Sequence, residues 1–284
     1  MAVIFGRYLD LQVDTIRILH DPPNVSLRVA FDCTKSLRKE PNEATIKIYN
    51  LSPDHRSQLT KVAQPAVSLV AGYKEEHTAL FLGQAVHVHH ERYGPDIITT
   101  VSTTDSGHQF QTGRIHKSFG PRTKAGDVLK ALAASLGVKP GNLSSAVAKL
   151  NSGKAADVYI EGVTLAGHTA HHLDMLCRSA GLEWSIQEGK LQFLDVGQAL
   201  GTIAIRLDET NMTTTPSVSA GDIVEGQTFI QSDFLPGRQV QIAAEFVTTA
   251  ARLEKCHYTG DTHADEWFVD FQAKGAKALK AGTK

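Results

Sequence analysis

Short runs of alternating apolar and polar residues, divided by turn residues, fill positions 1–104 of the chain. The period of two is clearest in "VSLRVAF", where Val25, Leu27, Val29 and Phe31 occupy every second position. Successive side chains of a β-strand point to opposite faces, so this pattern predicts strands with one buried and one solvated face. Further runs of this kind are "ATIKIYN", "AVSLVAGY", "ALFLGQAVHVHHER" and "DIITTVSTTD". Several such strands with turns between them indicate an antiparallel barrel or sandwich.

The same pattern returns in the last third of the chain. The runs there are "GTIAIRL", "GQTFIQSDF", "RQVQIAAEF", "ARLEKCHYT" and "EWFVDFQA", with Gly, Pro, Asp and Thr between them. Each run has the length of one strand, and their spacing is similar to that of the first segment. The two segments therefore fit two copies of one barrel design.

Between these segments the period changes to that of helices. In "TKAGDVLKALAASLGV" we expect Thr123 to cap the helix start and Gly137 to end it. A second helix is predicted in "HTAHHLDMLCRSAG", ending at Gly181, and the Glu188-Gly189 pair of "LEWSIQEGKLQFL" suits a tight hairpin turn. The apolar stripe of the first helix comprises Val128, Leu129, Leu132 and Leu136.

The sequence thus predicts a mainly β protein, α+β overall, in three domains. A first small antiparallel β-barrel is expected at 1–112, a small α+β domain at 113–196, and a second small antiparallel β-barrel at 197–284. The last domain ends in a basic tail, "AKGAKALKAGTK", that we expect to be solvated. Its basic residues are Lys274, Lys277, Lys280 and Lys284.

Charge and cysteine content narrow the possible functions. Lys plus Arg number 29 against 30 Asp plus Glu, which argues against nucleic-acid binding over the whole sequence, because no broad positive field is available for phosphates. The chain has neither a signal peptide pattern nor a run of about 18 apolar residues, so we expect no membrane insertion. Cys33, Cys177 and Cys256 are far apart and form no CxxC pair, which fits reduced thiols of a protein made in a cytosol.

Two groups of histidines have spacings that suit metal ligands. His168, His171 and His172 lie three and four residues apart, so they share one side of the predicted helical turn. This group lacks the glutamate of an HExxH motif, which supplies the general base in zinc proteases, and a hydrated helix end is the alternative interpretation. In "HVHHE", His87 and His89 share one face of a predicted strand without an evident third ligand.

A third group lies in "HYTGDTHADEWFVDF", which spans residues 257–271. His257, Asp261 and His263 would form a metal-binding set of two nitrogens and one oxygen if the chain folded back on itself. The same residues suit a hairpin turn, with Gly260 expected at positive φ and Asp261 bonded to the local backbone. We interpret the segment as a hairpin without metal, in which Trp267 anchors the returning strand.

The sequence contains no motif of a nucleophile or of a phosphate-binding loop. GxSxG, GxxxxGK[ST] and a GxGxxG after a strand are all missing, so we predict no catalytic residue and no cofactor. One segment, "AGDVLKALAASLGVKPGNL", resembles the LysM carbohydrate-binding module, in which a GDT-like start opens a short helix that leads to a GV turn. A peptidoglycan-binding module in the middle domain is therefore an alternative function, and a metal-dependent hydrolase that uses one of the histidine groups is another.

Six segments, taken in order, resemble the baseplate hub proteins of tailed bacteriophages, which are similar to the hub parts of contractile injection machines. They occur in the order that the family uses and cover nearly the whole chain. The segments are "PNEATIKIYNLS", "VSLVAGY", "LFLGQAV", "GLEWSIQEGKLQFL", "LPGRQVQI" and "YTGDTHADEW".

The resemblance implies two barrels similar to tail-tube domains, with the α+β domain between them. It also implies a homotrimer, whose six barrels continue a six-fold tail tube and whose outer end accepts a three-fold tail spike or tip protein. The other implied partners are tail-tube or distal tail and baseplate proteins and the tape-measure protein, with DNA only passing through the channel. The implied location is the tail baseplate of the virion, after synthesis in the cytoplasm of a host bacterium, and the family has no catalytic residues to transfer.

Overall fold

The computed structural model describes residues 6–38, 41–105, 112–152 and 158–275, without the side chains of 201–203. The chain divides into two compact units, of which the first combines 1–36, 42–105 and 199–284 and the second combines 37–41 and 106–198. Both strand-rich segments therefore belong to one unit, and its division into two barrels stays a prediction. The first three residues of the predicted basic tail, 273–275, belong to the last strand of the first unit and not to a solvated tail, and the rest lie outside the described residues.

The first segment contains seven strands and one helix. The elements are β1 (Arg7–Val13), β2 (Ile16–His20), β3 (Val29–Ser36), β4 (Glu43–Tyr49), α1 (Pro53–Lys61), β5 (Ala66–Tyr73), β6 (His77–Tyr93) and β7 (Asp96–Thr104). The strand predicted from Val25 begins only at Val29, and Val25 is exposed. Helix α1 was not predicted, because Leu59 is its one buried residue and so no apolar stripe marks it. Its start nevertheless has a sequence signal, since the Ser52 hydroxyl accepts the His55 N–H and Pro53 follows the cap.

The second unit is a small α+β fold, as predicted. Its elements are β8 (Arg114–Phe119), β9 (Thr123–Lys124), α2 (Ala125–Ser135), α3 (Leu143–Ser152), β10 (Val158–Tyr159), β11 (Val163–His168), α4 (Thr169–Ser179), β12 (Leu182–Gln187) and β13 (Lys190–Asp195). Strands β8 and β11, β9 and β10, and β12 and β13 form three antiparallel pairs. None of the described helices is long and apolar enough to span a membrane.

The buried residues of α2 are those that the sequence pattern predicts, but its N-cap is not the predicted residue. Val128, Leu129, Leu132 and Leu136 are buried, and Glu188 and Gly189 have the positive φ values, 54° and 70°, that the tight turn requires. Thr123 is not the N-cap of α2, because it pairs in β9, and Lys124 occupies the cap position without a side-chain bond. Helix α3 was not predicted from the sequence.

The last segment adds six strands to the first unit. They are β14 (Leu200–Asp208), β15 (Ser217–Ser219), β16 (Ile223–Phe229), β17 (Arg238–Ala243), β18 (Thr248–Asp261) and β19 (Trp267–Gly275). Strands β14 and β17 pair in parallel, so the expectation of purely antiparallel sheets is wrong at this position. The other pairings of the unit are antiparallel, and the predicted mainly β class is confirmed.

The strands of both segments form one sheet of thirteen strands. Its main path is β15-β16-β19-β18-β3-β4-β7-β6-β5-β1-β2, and β14 and β17 join it beside β18. Strand β18 connects the segments, because it pairs with β17 and β19 of its own segment and with β3 of the first. The sheet therefore places residues that lie more than two hundred positions apart in the sequence on neighbouring strands.

One face of this sheet packs into the apolar core of the unit. Phe31, Ile46, Val101 and Tyr258 are buried there with Cys33 and Cys256. Burial raises the pKa of both thiols to about 12, so these cysteines stay neutral and act as small apolar side chains.

Candidate functional surface

The opposite face of the same sheet is polar, and we call it the polar sheet face. It consists of fourteen residues that alternate with core positions on six neighbouring strands, and each of them is at least partly exposed. Phe268 of β19 lies on the same side of the sheet. The registers of the strand pairs align these residues in rows across the sheet. The polar sheet face comprises Glu225, Gln227, Asp270, Gln272, Lys255, His257, Thr259, Ala30, Asp32, Thr34, Thr45, Lys47, Thr100 and Ser102.

His257 lies between two carboxylates at the centre of this face. Its Nε2 is 2.8 Å from Oδ2 of Asp32 on β3, and its Nδ1 is 3.9 Å from Oδ2 of Asp270 on β19. These groups come from both strand-rich segments. The imidazole therefore links the two segments at the surface, directly over the β3–β18 pair.

Cross-strand hydrogen bonds extend this network towards the edge of the sheet. The Gln227 amide donates to Asp270 at 3.0 Å, and the Gln272 amide donates to Glu225 at 2.9 Å. The acidic side chains of the face are thus engaged with neighbours on adjacent strands. Such cross-strand pairs fix side-chain positions and favour one register of the sheet.

Two shallow hollows lie on the polar sheet face. One has a volume of about 410 Å³ and is lined by residues of β16, β18 and β19. The other, of about 490 Å³, is lined by residues of β3, β4 and β18 and of the turn that follows β18. Their linings contain three basic side chains, Arg28, Lys47 and Lys255, against five acidic ones, Asp32, Glu225, Asp261, Glu266 and Asp270. The surface is rich in hydroxyl and amide groups and has a slight excess of negative charge.

A partly buried ion pair fixes the turn between β18 and β19. The Arg28 guanidinium donates to both carboxylate oxygens of Asp261 at 2.7–3.1 Å and lies over the Tyr49 ring, 4.5 Å from its centroid. Oδ1 of Asp261 also accepts the backbone N–H groups of His263 and Ala264 at 2.9 and 3.2 Å. The prediction that Asp261 bonds the local backbone is therefore fulfilled, and Arg28 is a partner that the local sequence did not indicate.

These contacts lower the pKa of the Asp261 carboxyl. Burial alone would raise it, but the hydrogen bonds from Arg28 and from the backbone N–H of His263 outweigh burial and hold the pKa below its ordinary value. A carboxyl whose pKa is lower in the folded than in the unfolded state contributes stability above the unfolded pKa. That contribution is lost as the pH falls through the folded pKa.

We expect Asp261→Asn to lower the free energy of unfolding at neutral pH, since the Arg28 pair and its charge-assisted bonds are lost. The difference from the wild-type protein should shrink as the pH falls below about 4, where the wild-type carboxyl also becomes protonated. Urea unfolding at a series of pH values measures this. The matched control is Asp265→Asn, an exposed residue of the same turn, which should leave the pH profile unchanged. A constant difference from pH 7 to pH 2 would contradict the assignment.

The structure corrects the role predicted for Gly260. Strand β18 continues to Asp261, so Gly260 lies within the strand and is not among the glycines with positive φ. It faces the core, where an added Cβ would lie 2.3 Å from Cζ of Phe31 and 2.9 Å from Cε3 of Trp267. Glycine is needed because two aromatic rings cover the backbone there, not because the chain turns.

Trp267 begins β19 and is buried, with 4% of its surface exposed. Its ring meets Phe31 edge to face, with 5.4 Å between centroids and 75° between planes. Its Nε1–H donates to the Gly72 carbonyl at 3.1 Å, and the guanidinium carbon of Arg7 lies 5.4 Å from the ring centroid. Trp267 thus contacts β3 and β5 of the first segment as well as its own hairpin.

The structure places the histidines of the helix group at the junction of β11 and α4. His168 is the last residue of β11 and precedes the helix, so only His171 and His172 lie on the helical turn. Nε2 of His172 lies 3.1 Å from the Ala166 carbonyl oxygen, and the rings of His171 and His172 meet at 63°. On β6, the rings of His87 and His89 stack with 6.2 Å between centroids.

The members of the group at 257–263 are each engaged with other neighbours. His257 bonds Asp32, Asp261 bonds Arg28, and Nδ1 of His263 lies 2.8 Å from the Thr262 hydroxyl. Within the described ranges, the structure does not bring together three His, Cys, Asp or Glu side chains in a geometry that would hold a metal ion.

No protein-family model matches the sequence, and no curated protein matches it significantly. Solved structures do match the fold. The 43 kDa tail protein of prophage MuSo2 from Shewanella oneidensis is 9% identical with a TM-score of 0.67, and the match covers 95% of this chain and 99% of that one. A tail protein from Neisseria meningitidis is 10% identical with a TM-score of 0.63, covering 95% of this chain and 97% of that one.

A third match is an E. coli protein described as a component of the type VI secretion system with structural similarity to T4 bacteriophage tail proteins. It is 9% identical with a TM-score of 0.58, and the match covers 96% of this chain and 78% of that one. At such low identity these matches concern the fold alone. The fold is that of solved phage-tail proteins, which confirms the resemblance predicted from the sequence at the level of the fold.

Proposed function

We propose that this chain is a structural protein of a phage tail, a baseplate hub without catalytic activity. Three copies would form a ring that joins a six-fold tail tube to a three-fold spike or tip protein. The ring would surround part of the channel for DNA and tape-measure protein, with the polar sheet face as its wall. The site of action would be the tail baseplate of the virion, after synthesis in the host cytoplasm.

The observation that carries the proposal is the single sheet in which the two strand-rich segments are neighbours. A ring of three chains can match six tube positions if each chain supplies two tube-like units. The β3–β18 pair fixes these segments side by side, and the Asp32–His257 contact lies above it at the surface. The likeness to tail proteins along nearly the whole chain supports the same assignment.

The charge of the polar sheet face supports its place at a DNA channel. A conduit must let a duplex pass without holding it, and a basic wall would bind phosphates. The hollows of this face carry more acidic than basic groups, and hydroxyl and amide side chains fill the spaces between them. Such a wall offers phosphates little net attraction.

The ends of the sheet support an assembly of several chains. Strand β2 ends the main path on one side and β15 on the other, and among the described strands β14 pairs only with β17. Such edges carry backbone groups that are available for pairing with another chain. A closed ring would cover edges that an isolated chain leaves open.

We expect the purified full-length protein to form a trimer of three 30.8 kDa chains. Native mass spectrometry at micromolar concentration measures the stoichiometry directly, and imaging of intact particles shows whether a three-fold ring lies between tube and spike. A monomer in solution together with particles that lack such a ring would overturn the proposal. A stable dimer or hexamer would overturn the three-fold arrangement.

Saccharide binding by the second unit is the second candidate function. The segment that resembles LysM, residues 125–143, contains α2 and the first residue of α3, and the short strands β9 and β10 on either side of these helices pair with each other. Sedimentation of the full chain with purified peptidoglycan tests this candidate. Failure of the protein to sediment with the polymer would remove it without affecting the hub proposal.

A further inference from the structure

Three buried polar residues lie side by side on neighbouring strands of the first unit. The β3–β4 register ends with Thr34 opposite Glu43, and Lys35 and Asn42 are the next residues of the chain, one step beyond this pair. The β4–β7 register likewise continues from Glu43 and Thr104 to Asn42 and Asp105, and the Asp105 N–H donates to the Asn42 carbonyl at 3.1 Å. Directly opposite residues have Cβ atoms about 4.5–5.5 Å apart.

This row faces the core side of the sheet and is shielded from water. Lys35, Asn42 and Asp105 are 1%, 2% and 6% exposed. Lysine and aspartate are almost never buried to this degree without a specific reason. The charge of Lys35 acts on the buried thiols of both Cys33 and Cys256, where it opposes the rise in pKa that burial causes. Lys35 therefore lies among the buried side chains of the core, on the strand position opposite Cys256.

The side-chain amide of Asn42 is held in a way that favours attack by a nucleophile on its carbonyl carbon. Its Oδ1 accepts the backbone N–H of Ser36 at 2.8 Å, which polarises the carbonyl group. Its Nδ2 donates to Oδ2 of Asp105 at 2.7 Å, and the Asn42 backbone N–H binds the other carboxylate oxygen at 3.0 Å. A carboxyl group thus touches the nitrogen that would leave, which is the position of a general acid toward that nitrogen.

We infer that Lys35 and Asn42 are the site of an intramolecular isopeptide bond that forms after folding. Asp105 takes a proton from the Lys35 ammonium, and Nζ attacks Cγ of Asn42. The tetrahedral oxyanion is stabilised by the Ser36 N–H, and the bond from Cγ to Nδ2 breaks. Nδ2 leaves as ammonia with the proton that Asp105 carried, and this ammonia takes up the second proton that Nζ loses and departs as ammonium. Nζ–Cγ is the bond formed, Cγ–Nδ2 is the bond broken, and no oxidant or cofactor is needed.

The opposing strands favour this step because they hold the reacting residues close together. The reaction is intramolecular and gains the rate advantage of a held geometry. The product would join β3 to β4 covalently where the chain leaves the sheet.

The test is mass spectrometry of the full-length protein under denaturing conditions. We expect an intact mass lower than that of the sequence by one ammonia. Trypsin cuts after Arg28, Arg38, Lys39 and Lys47, but a modified Lys35 is not cut, so residues 29–38 and 40–47 should appear together as one branched peptide. An intact mass equal to that of the sequence, with cleavage after Lys35, would overturn the inference.

Variants separate this bond from a succinimide at Asn42, which also releases ammonia. Lys35→Arg keeps the positive charge but provides no amine nucleophile, so the mass loss should disappear, whereas a succinimide would persist in that variant and would change peptide 40–47 alone. Asn42→Asp should lose one water and give the same branched product. Asp105→Asn should slow or abolish the reaction. Loss of ammonia in Lys35→Arg would refute the lysine bond.

Discussion

Replacing Trp267 by alanine is expected to lower the free energy of unfolding of the first unit by about 3–5 kcal/mol. The indole is almost completely buried and contacts Phe31 edge to face, so its removal leaves a cavity at the junction of the two strand-rich segments. It also leaves the Gly72 carbonyl without its indole donor, and a buried polar group that loses its partner adds to the cost. Urea unfolding followed by circular dichroism measures the loss, and the fluorescence of Trp184 reports on the second unit separately.

Two further variants identify the cause of that loss. Trp267→Phe keeps an aromatic ring but removes the N–H donor, so it should cost less than the alanine variant. Phe268→Ala removes a ring from the adjacent residue, which is only partly buried and lies on the opposite face of β19, and it should cost less as well. A loss below about 1 kcal/mol for Trp267→Ala, within the range of ordinary surface changes, would show that the indole does not anchor the hairpin.

The fold was predictable wherever one local signal decided the structure. Alternation marked the strands, and the helical stripe at Val128 and Leu132 marked α2, because one buried face imposes a period on the sequence. Helix α1 has one buried residue and therefore no period to detect. The parallel β14–β17 pair and the β3–β18 pair join residues far apart in the sequence, and no local pattern encodes which strands become neighbours.

The candidate surface was less predictable than the fold, for the same reason. The sequence identified His257 and Asp261 as notable, but their partners, Asp32 and Arg28, lie 225 and 233 positions away. The role predicted for Gly260 was wrong, because a glycine in a polar segment suggests a turn. This position requires glycine because the ring of Phe31, from the other segment, packs against its backbone. Local composition predicts turns well and long-range contacts poorly.

The charge of the polar sheet face leads to a prediction about DNA. The variant Asp32→Lys/Asp270→Lys changes two side chains of this face that are about half exposed, 58% and 48%, so the new lysines can be solvated and the fold should tolerate them. In the proposed trimer the change would place six new cations on the proposed channel wall. We expect the variant ring to retain a short DNA duplex that the wild-type ring releases.

The salt dependence of that retention distinguishes phosphate binding by the wall from a general effect of net charge. If six lysines contact phosphates, the affinity should fall by about three orders of magnitude between about 50 and 200 mM salt, because each contact releases counterions.

The matched control is Glu75→Lys/Glu161→Lys, which makes the same change in net charge at exposed positions outside the polar sheet face and should add little affinity. Filter binding or fluorescence anisotropy with the assembled protein measures both variants. Equal retention by the two variants would show that the polar sheet face is not the wall along which DNA passes, whereas retention by the first variant alone would assign the channel to the β16-β19-β18-β3-β4-β7 surface.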